Sequence, residues 1–263
     1  MSNIKYISNI ELKKLLSDAN QTERLELTKL LKSQDDSVPT KALDYTELHH
    51  KIISEDSYLK LLTDIANKLK LNDIQRYYGE VIYYERTQDL KYNYKQATAK
   101  NLEYTHSLED KITIKLLGEI YEAMNEKDKE LFNKTLKKVA EQNGQTSNKN
   151  LVGTAGLLVL GNMGGFATYT FLTTIMSTLS FGTLGFGAYT AATSLLSVAL
   201  GPIGWVGLGL YAMYKLGEPD YKKLIPIVIT IGIIRNRIRD ENLDWDEKYD
   251  RMLQEIRNKR LGK

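Results

Sequence analysis

The chain of 263 residues contains no cysteine, which excludes disulfides, thiol nucleophiles and thiolate metal sites. Histidine is nearly as scarce: His49, His50 and His106 are the only three. They form no HExxH, and a metal site at His49, His50 and Glu47 is not expected. Proline occurs four times and strand-like alternation of useful length is missing, so nothing favours a β-sheet. No P-loop, GxGxxG or GxSxG is present, which leaves nucleotide-dependent and serine-hydrolase chemistry without a motif. The N-terminus, MSNIKYISNIELKKLL, has no uninterrupted apolar core of the kind a secretory signal requires. No constellation of catalytic, cofactor-binding or metal-ligating residues emerges, and the expectation is a protein that is not an enzyme.

The most informative absence is local. From Leu151 to Tyr214 there is not one charged side chain. Residues 1–150 carry 24 Lys and Arg against 24 Asp and Glu, and residues 215–263 carry 12 against 9, so the net charge of +3 lies entirely in the tail. The mean hydropathy of −0.36 averages two polar segments and one apolar one. These shifts suggest a soluble amphipathic helical domain over 1–145, a polar hinge over 146–150, an uncharged hydrophobic region over 151–214, and C-terminal helices with a basic and acidic tail over 215–263.

The polar first half reads as short amphipathic helices, and all-α is the expected class. Ser8 is a candidate cap for a helix carrying Ile10, Leu12, Leu15 and Leu16, and a second helix after Asn20 carries Leu25, Leu27, Leu30 and Leu31. Asp56 or Ser57 is placed to start a helix with Leu59, Leu62, Ile65, Ala66 and Leu69 on one face. Ser107-Leu-Glu-Asp110 has capping-box form ahead of Ile112, Leu116, Ile120 and Met124. Asn125 is expected to cap a helix through Leu131, Phe132, Leu136 and Val139 that ends near Asn143-Gly144. The Tyr-rich stretch 77–94 interleaves aromatics with charge of both signs, a balance that argues for packing and against nucleic-acid binding. The acidic run 240–250 lacks the spacing of a calcium loop.

Twelve of the 18 glycines fall inside the uncharged region and divide it. Two pieces, 166–180 and 188–200, are joined by FGTLGFG, with hairpin turns expected at Gly182, Gly185, Gly187, Gly201 and Pro202. On a helix, Thr170, Thr173, Thr174, Ser177 and Thr178 share one face, and Thr190, Thr193, Ser194 and Ser197 repeat that stripe in the second piece. Phe171, Leu172, Ile175, Met176 and Leu179 line a different face of the first. Hydroxyls tolerate lipid because they can bond back to the carbonyl one turn earlier, or across to a neighbouring helix. The stripes are therefore expected to meet each other inside a hairpin, or to line water.

Eight Leu, Ile or Phe between 166 and 186 contribute roughly −2 to −5 kcal/mol to insertion, before Ser, Thr and Gly erode it. Insertion on this scale is marginal, and a soluble domain that buries the same hairpin satisfies the pattern too. Trp205, Lys215, Lys222, Lys223 and Arg235 stand where interfacial contacts to lipid head groups would fall, and two spans would leave these cations on the cytoplasmic side. The leading expectation is a protein that perturbs or permeabilises a bilayer through this hairpin, as a toxin or defence effector would. It would be cytoplasmic, peripheral to or inserted in the inner membrane, with membrane lipid as partner and homo-oligomers possible in the pore version. The alternative is a non-enzymatic chaperone or assembly factor, soluble or peripheral, whose apolar helices engage a protein client.

Gly201, Pro202, Ile203, Gly204, Trp205, Tyr221, Ile225, Pro226, Val228 and Arg235 form a GPIGW segment followed by an IPxV helix ending in Arg. In this pattern the chain resembles the bacterial YaaW-type family, and Ile7–Leu31 resembles that family's leading helical motif. The resemblance implies a ubiquinol-cytochrome c chaperone-like label and no catalytic residue.

Overall fold

The computed structural model describes residues 7–32, 41–53, 57–71, 94–143, 151–163, 165–178 and 219–241, together with Arg251 and Gln254. Among them are nine helices and no strand, and the fold is all-α. In chain order the helices are α1 (Ile7–Asp18), α2 (Gln21–Lys32), α3 (Tyr45–Ile52), α4 (Tyr58–Lys68), α5 (Tyr94–Ala123), α6 (Glu126–Gln142), α7 (Gly153–Asn162), α8 (Gly165–Thr178) and α9 (Pro219–Glu241). The chain forms two compact units, one from Met1–Glu109 with Ile234–Lys263 and the other from Asp110–Ile233. Composition changes at 145, 150 and 214, whereas the units divide within α5 and within α9.

In the first unit, α1 packs on α3 and α4, and α2 packs on α3. Leu12, Leu16, Leu27, Leu48, Leu59, Leu62 and Ile65 are fully buried, as their helical spacing requires. Asn20 and Glu23 exchange side chain to backbone bonds at 2.9 Å each, a capping box that starts α2. Asp44 and Glu47 do the same for α3, a helix too short to show a periodic signal in the sequence. Ser57 caps α4 through the Lys60 amide, as expected.

Two expected helix starts fall elsewhere. Ser8 lies inside α1, and its hydroxyl accepts from the Leu59 amide of α4 at 3.3 Å. Beside it, the Asn9 side chain accepts from the Tyr58 amide at 2.7 Å. Orphan amides at the start of α4 are thus satisfied by residues of α1, a form of cap that local sequence does not reveal. Ser107–Asp110 does not begin a helix either, because α5 runs through it unbroken from Tyr94. Glu109 and Asp110 are buried here, so these acids belong to the interior rather than to a helix end.

In the second unit α6, α7 and α8 pack on one another. Asn125 caps α6 through the Asp128 amide at 3.0 Å, and the helix closes at Asn143. Phe132 of α6 stands between Tyr121 and Phe171, with ring centroids 5.1 and 4.8 Å away. Gly153 begins α7 at φ +56°, a conformation that side chains with a Cβ rarely adopt. Its amide donates to the Asn133 side chain at 2.8 Å, and that side chain donates in turn to the Tyr121 hydroxyl at 3.2 Å. Three residues on, a Cβ at Gly156 would stand 2.3 Å from Leu136, so the closeness of α7 to α6 depends on glycine there.

The apolar run 224–234 is the centre of α9, with Ile225, Ile227, Val228, Ile229 and Ile231 buried. Gly232 faces Tyr169 so closely that a Cβ would stand 2.1 Å from the ring. Tyr169 is itself buried and shares a 3.3 Å hydrogen bond with the Thr113 hydroxyl. Gly232→Ala is expected to destabilise this unit by about 1–3 kcal/mol through overpacking. Urea unfolding checks the loss, and a second change, Tyr169→Leu, should recover most of it.

Candidate functional site

Two features of the chain carry unusual chemistry, one in each unit. The first is the uncharged segment. Its described part is α7 and α8, with Met163 closing α7 inside the Gly161–Gly165 punctuation. Phe171, Leu172 and Ile175 of α8 are buried, and the Phe171 ring meets Phe132 of α6 nearly edge-on. The hydrocarbon face of α8 therefore rests on an amphipathic helix from the polar half of the chain. That helix, α6, buries Phe132, Leu136 and Val139 and exposes Lys134, Lys137 and Lys138.

The hydroxyl stripe follows a different course. Thr170 and Thr174 are half-buried, and the Thr174 hydroxyl donates back to the Thr170 carbonyl at 2.7 Å. This is the internal satisfaction that lets a threonine face lie in an apolar setting. Thr173, Ser177 and Thr178 also fall within α8. Thr168, which lies off the stripe, is fully buried on the packed side. The second stripe, Thr190, Thr193, Ser194 and Ser197, lies outside the described residues. So do Gly182, Gly185, Gly187, Gly201, Pro202, Trp205 and Lys215, the Tyr-rich stretch as far as 93, and the acidic run from 242. Lys222 and Lys223 lie in the first turns of α9.

Among the described residues no helix is long and apolar enough to cross a membrane. With 10 and 14 residues, α7 and α8 each fall short of the about 20 that a span needs. On α7, Leu158 is 63% exposed and Val152, just before the helix, 46%.

The second feature is a buried ionic cluster in the first unit. Arg235, expected at a lipid interface, is instead only 7% exposed. Its Nε and Nη2 donate to the two carboxylate oxygens of Glu109 at 3.1 and 2.9 Å, a bidentate fork. Its Nη1 donates to Glu11, and the Tyr58 hydroxyl donates to Glu109 at 2.7 Å. His106 places Nε2 3.6 Å from Glu11. A charged group cannot be buried without such partners, since desolvation alone costs several kcal/mol per ion. Burial raises the Glu11 carboxyl, but Arg235 and His106 outweigh it and bring it from 4.5 to about 2. Arg235 is weakened as an acid by Glu109 and Glu11 despite its burial and stays charged.

Two residues on, Arg237 makes a second fork to Glu23 of α2 at 2.5 and 2.8 Å. Together the two arginines fasten the end of α9 to α1, α2 and α5. The sequence carried one sign of this: Glu11 falls one turn before buried Leu15, and Glu109 one turn before buried Ile112. No group of three or more His, Cys, Asp or Glu that could hold a metal ion occurs among the described residues, and Glu47 and His49 are occupied otherwise. The Glu47 carboxylate accepts from the Asp44 amide, and His49 is turned into the interior.

The chain is similar to UPF0174 proteins of Helicobacter pylori. One from strain J99 is 27% identical over 209 residues, covering 72% of this chain and 76% of the relative. Another, from strain 26695, is 29% identical over 161 residues, covering 57% and 71%. A further one from strain J99 is 27% identical over 163 residues. No family model matches the chain. No solved structure matches it. These relatives overturn the resemblance to the YaaW-type family, and the chaperone-like label goes with it. That resemblance rested chiefly on residues 201–235, whereas the UPF0174 matches extend over 161–209 aligned residues.

Proposed function

We propose that the protein associates conditionally with a membrane through residues 151–214, and that α7 and α8 packed on α6 are the stored form of this segment. The observation that carries the reading is the uncharged segment itself, whose described part includes α8 with its hydrocarbon face laid on α6. Phe171, Leu172 and Ile175 would exchange one apolar environment for another on entering lipid. The free energy separating the two states is then small, and modest changes in the α6 contact decide between them. Exposed Val152 and Leu158 supply the first apolar contact with a bilayer surface. In this reading the protein works at the cytoplasmic face of the inner membrane, and disturbance of the bilayer follows insertion.

The absence of cysteine makes a direct test available. A pair of cysteines introduced across the α6–α8 contact, near Phe132 and Phe171, locks the stored form when oxidised and frees it when reduced. The reduced protein is expected to float with vesicles of phosphatidylethanolamine and phosphatidylglycerol and to release entrapped dye, and the oxidised protein to do neither. Equal flotation of both forms would show that α8 need not move. A protein that never floats, and never leaks dye, would instead favour a soluble assembly factor.

A further inference from the structure

We propose that His49 is a proton-sensitive latch between α1 and α3, which loosens the first unit on mild acidification. His49 is 1% exposed, in the last turn of α3, and its Nε2 is 2.9 Å from the main-chain carbonyl of Asn9 in α1. A carbonyl can only accept, so Nε2 carries the hydrogen and Nδ1 of the neutral ring is bare. Nδ1 is buried too, and no hydrogen-bond partner reaches it.

Protonation would place a second N–H at Nδ1, where nothing can accept it, and a positive charge in the interior. The charged neighbours make this worse. His50 stands edge-on at 5.9 Å between ring centroids, and Lys13 of α1 acts on the ring from the other element. On α2, which also packs against α3, the acids are engaged elsewhere: Glu23 by Arg237 and Glu26 by Lys29. On α3 itself Glu47 is turned to the Asp44 amide, and Lys51 adds a further positive charge. Burial, the largest cause, together with His50 and Lys13, holds the His49 pKa below 6.5, although the Asn9 carbonyl opposes them.

The residue gripped by His49 is a junction. Asn9 offers its carbonyl to α3 and its side chain to the first amide of α4, across 40 and 49 positions of chain. A charged ring drawn out toward water gives up the Asn9 bond and so disturbs the docking of two helices on α1. A group whose pKa is depressed in the folded state contributes fully above its unfolded value. That contribution declines as pH falls below about 6.5, until the folded pKa is reached.

The test is urea unfolding of the full chain between pH 8 and 5. Below pH 6.5 the unfolding equilibrium constant of the natural protein should rise, approaching tenfold per pH unit. His49→Gln, which keeps a donor for Asn9 but cannot titrate, should be flat over the same interval. His50→Gln should keep the dependence, and a His106→Gln background separates any contribution from the ring facing Glu11. A natural protein that is flat from pH 7.5 to 5.5, or a His49→Gln variant as steep as the natural chain, would overturn the proposal. Should His49→Gln not fold, nuclear magnetic resonance of the three histidine rings decides it. A His49 midpoint clearly below 6.5 supports the latch, and one at or above 6.5 refutes it.

Discussion

Arg235→Met should cost the first unit about 3–5 kcal/mol at neutral pH, because it strands Glu109 and Glu11 in the interior without their cation. Denaturant unfolding followed by circular dichroism measures the loss. Acid gives the same prediction a second signature. In the natural protein the Glu11 carboxyl is held at about 2 against an ordinary 4.5. Its contribution, about 3 kcal/mol, is present in full above pH 4.5 and fades as pH falls toward 2. In Arg235→Met the sign reverses, since stranded buried carboxylates prefer to be protonated, and the deficit should narrow as pH drops from 7 to 4. Combining Arg235→Met with Glu11→Gln and Glu109→Gln should recover much of the stability, because neutral groups of similar size need no counter-ion. A triple variant as unstable as the single one would mean that packing around the arginine stem, not charge, dominates.

Phe132→Ala should weaken the second unit by a similar amount, about 3–5 kcal/mol, because a fully buried ring between Tyr121 and Phe171 leaves a cavity that helices cannot close. The edge-on pair with Phe171 adds about 0.5–1.5 kcal/mol beyond area burial. Thermal or denaturant unfolding reads the loss. If α8 is stored against α6, the same change should raise flotation with anionic vesicles, whereas a destabilising change confined to the first unit, such as Arg235→Met, should not raise it comparably.

Much of the helical framework was legible. Asn20, Ser57 and Asn125 mark real helix starts, because a capping side chain acts within three residues of itself. Most apolar positions singled out in α1, α2, α4 and α6 are buried, while Ile10, Leu25, Leu69 and Leu131 are only half-buried. What escaped the sequence is what depends on distant partners. Ser8 looked like a local cap and is a cap for α4. Ser107–Asp110 looked like a helix start and is the middle of α5, its acids drawn inward by groups that include an arginine 126 positions away. Arg235 looked like a surface cation because it follows an apolar run, the pattern that a membrane flank and a buried ion pair share. Composition could not separate these two, since the deciding carboxylates lie on other helices. The hydroxyl stripe was legible as a face, but not what faces it.

The spacing of the Arg235 partners along the chain has a consequence for synthesis. Glu11 and Glu109 precede the arginine by 224 and 126 residues. At about 5–20 residues per second, the ribosome delivers Arg235 about 10–45 s after Glu11, and the whole uncharged segment emerges in the interval. Through that time Glu11 has no guanidinium partner, so the first unit matures last although it is begun first. The nascent chain must therefore manage residues 151–214 before its earlier helices are fastened. A ribosome-bound chain stopped before residue 235 would hold its N-terminal helices in a looser, protease-sensitive form, and one released beyond it would not.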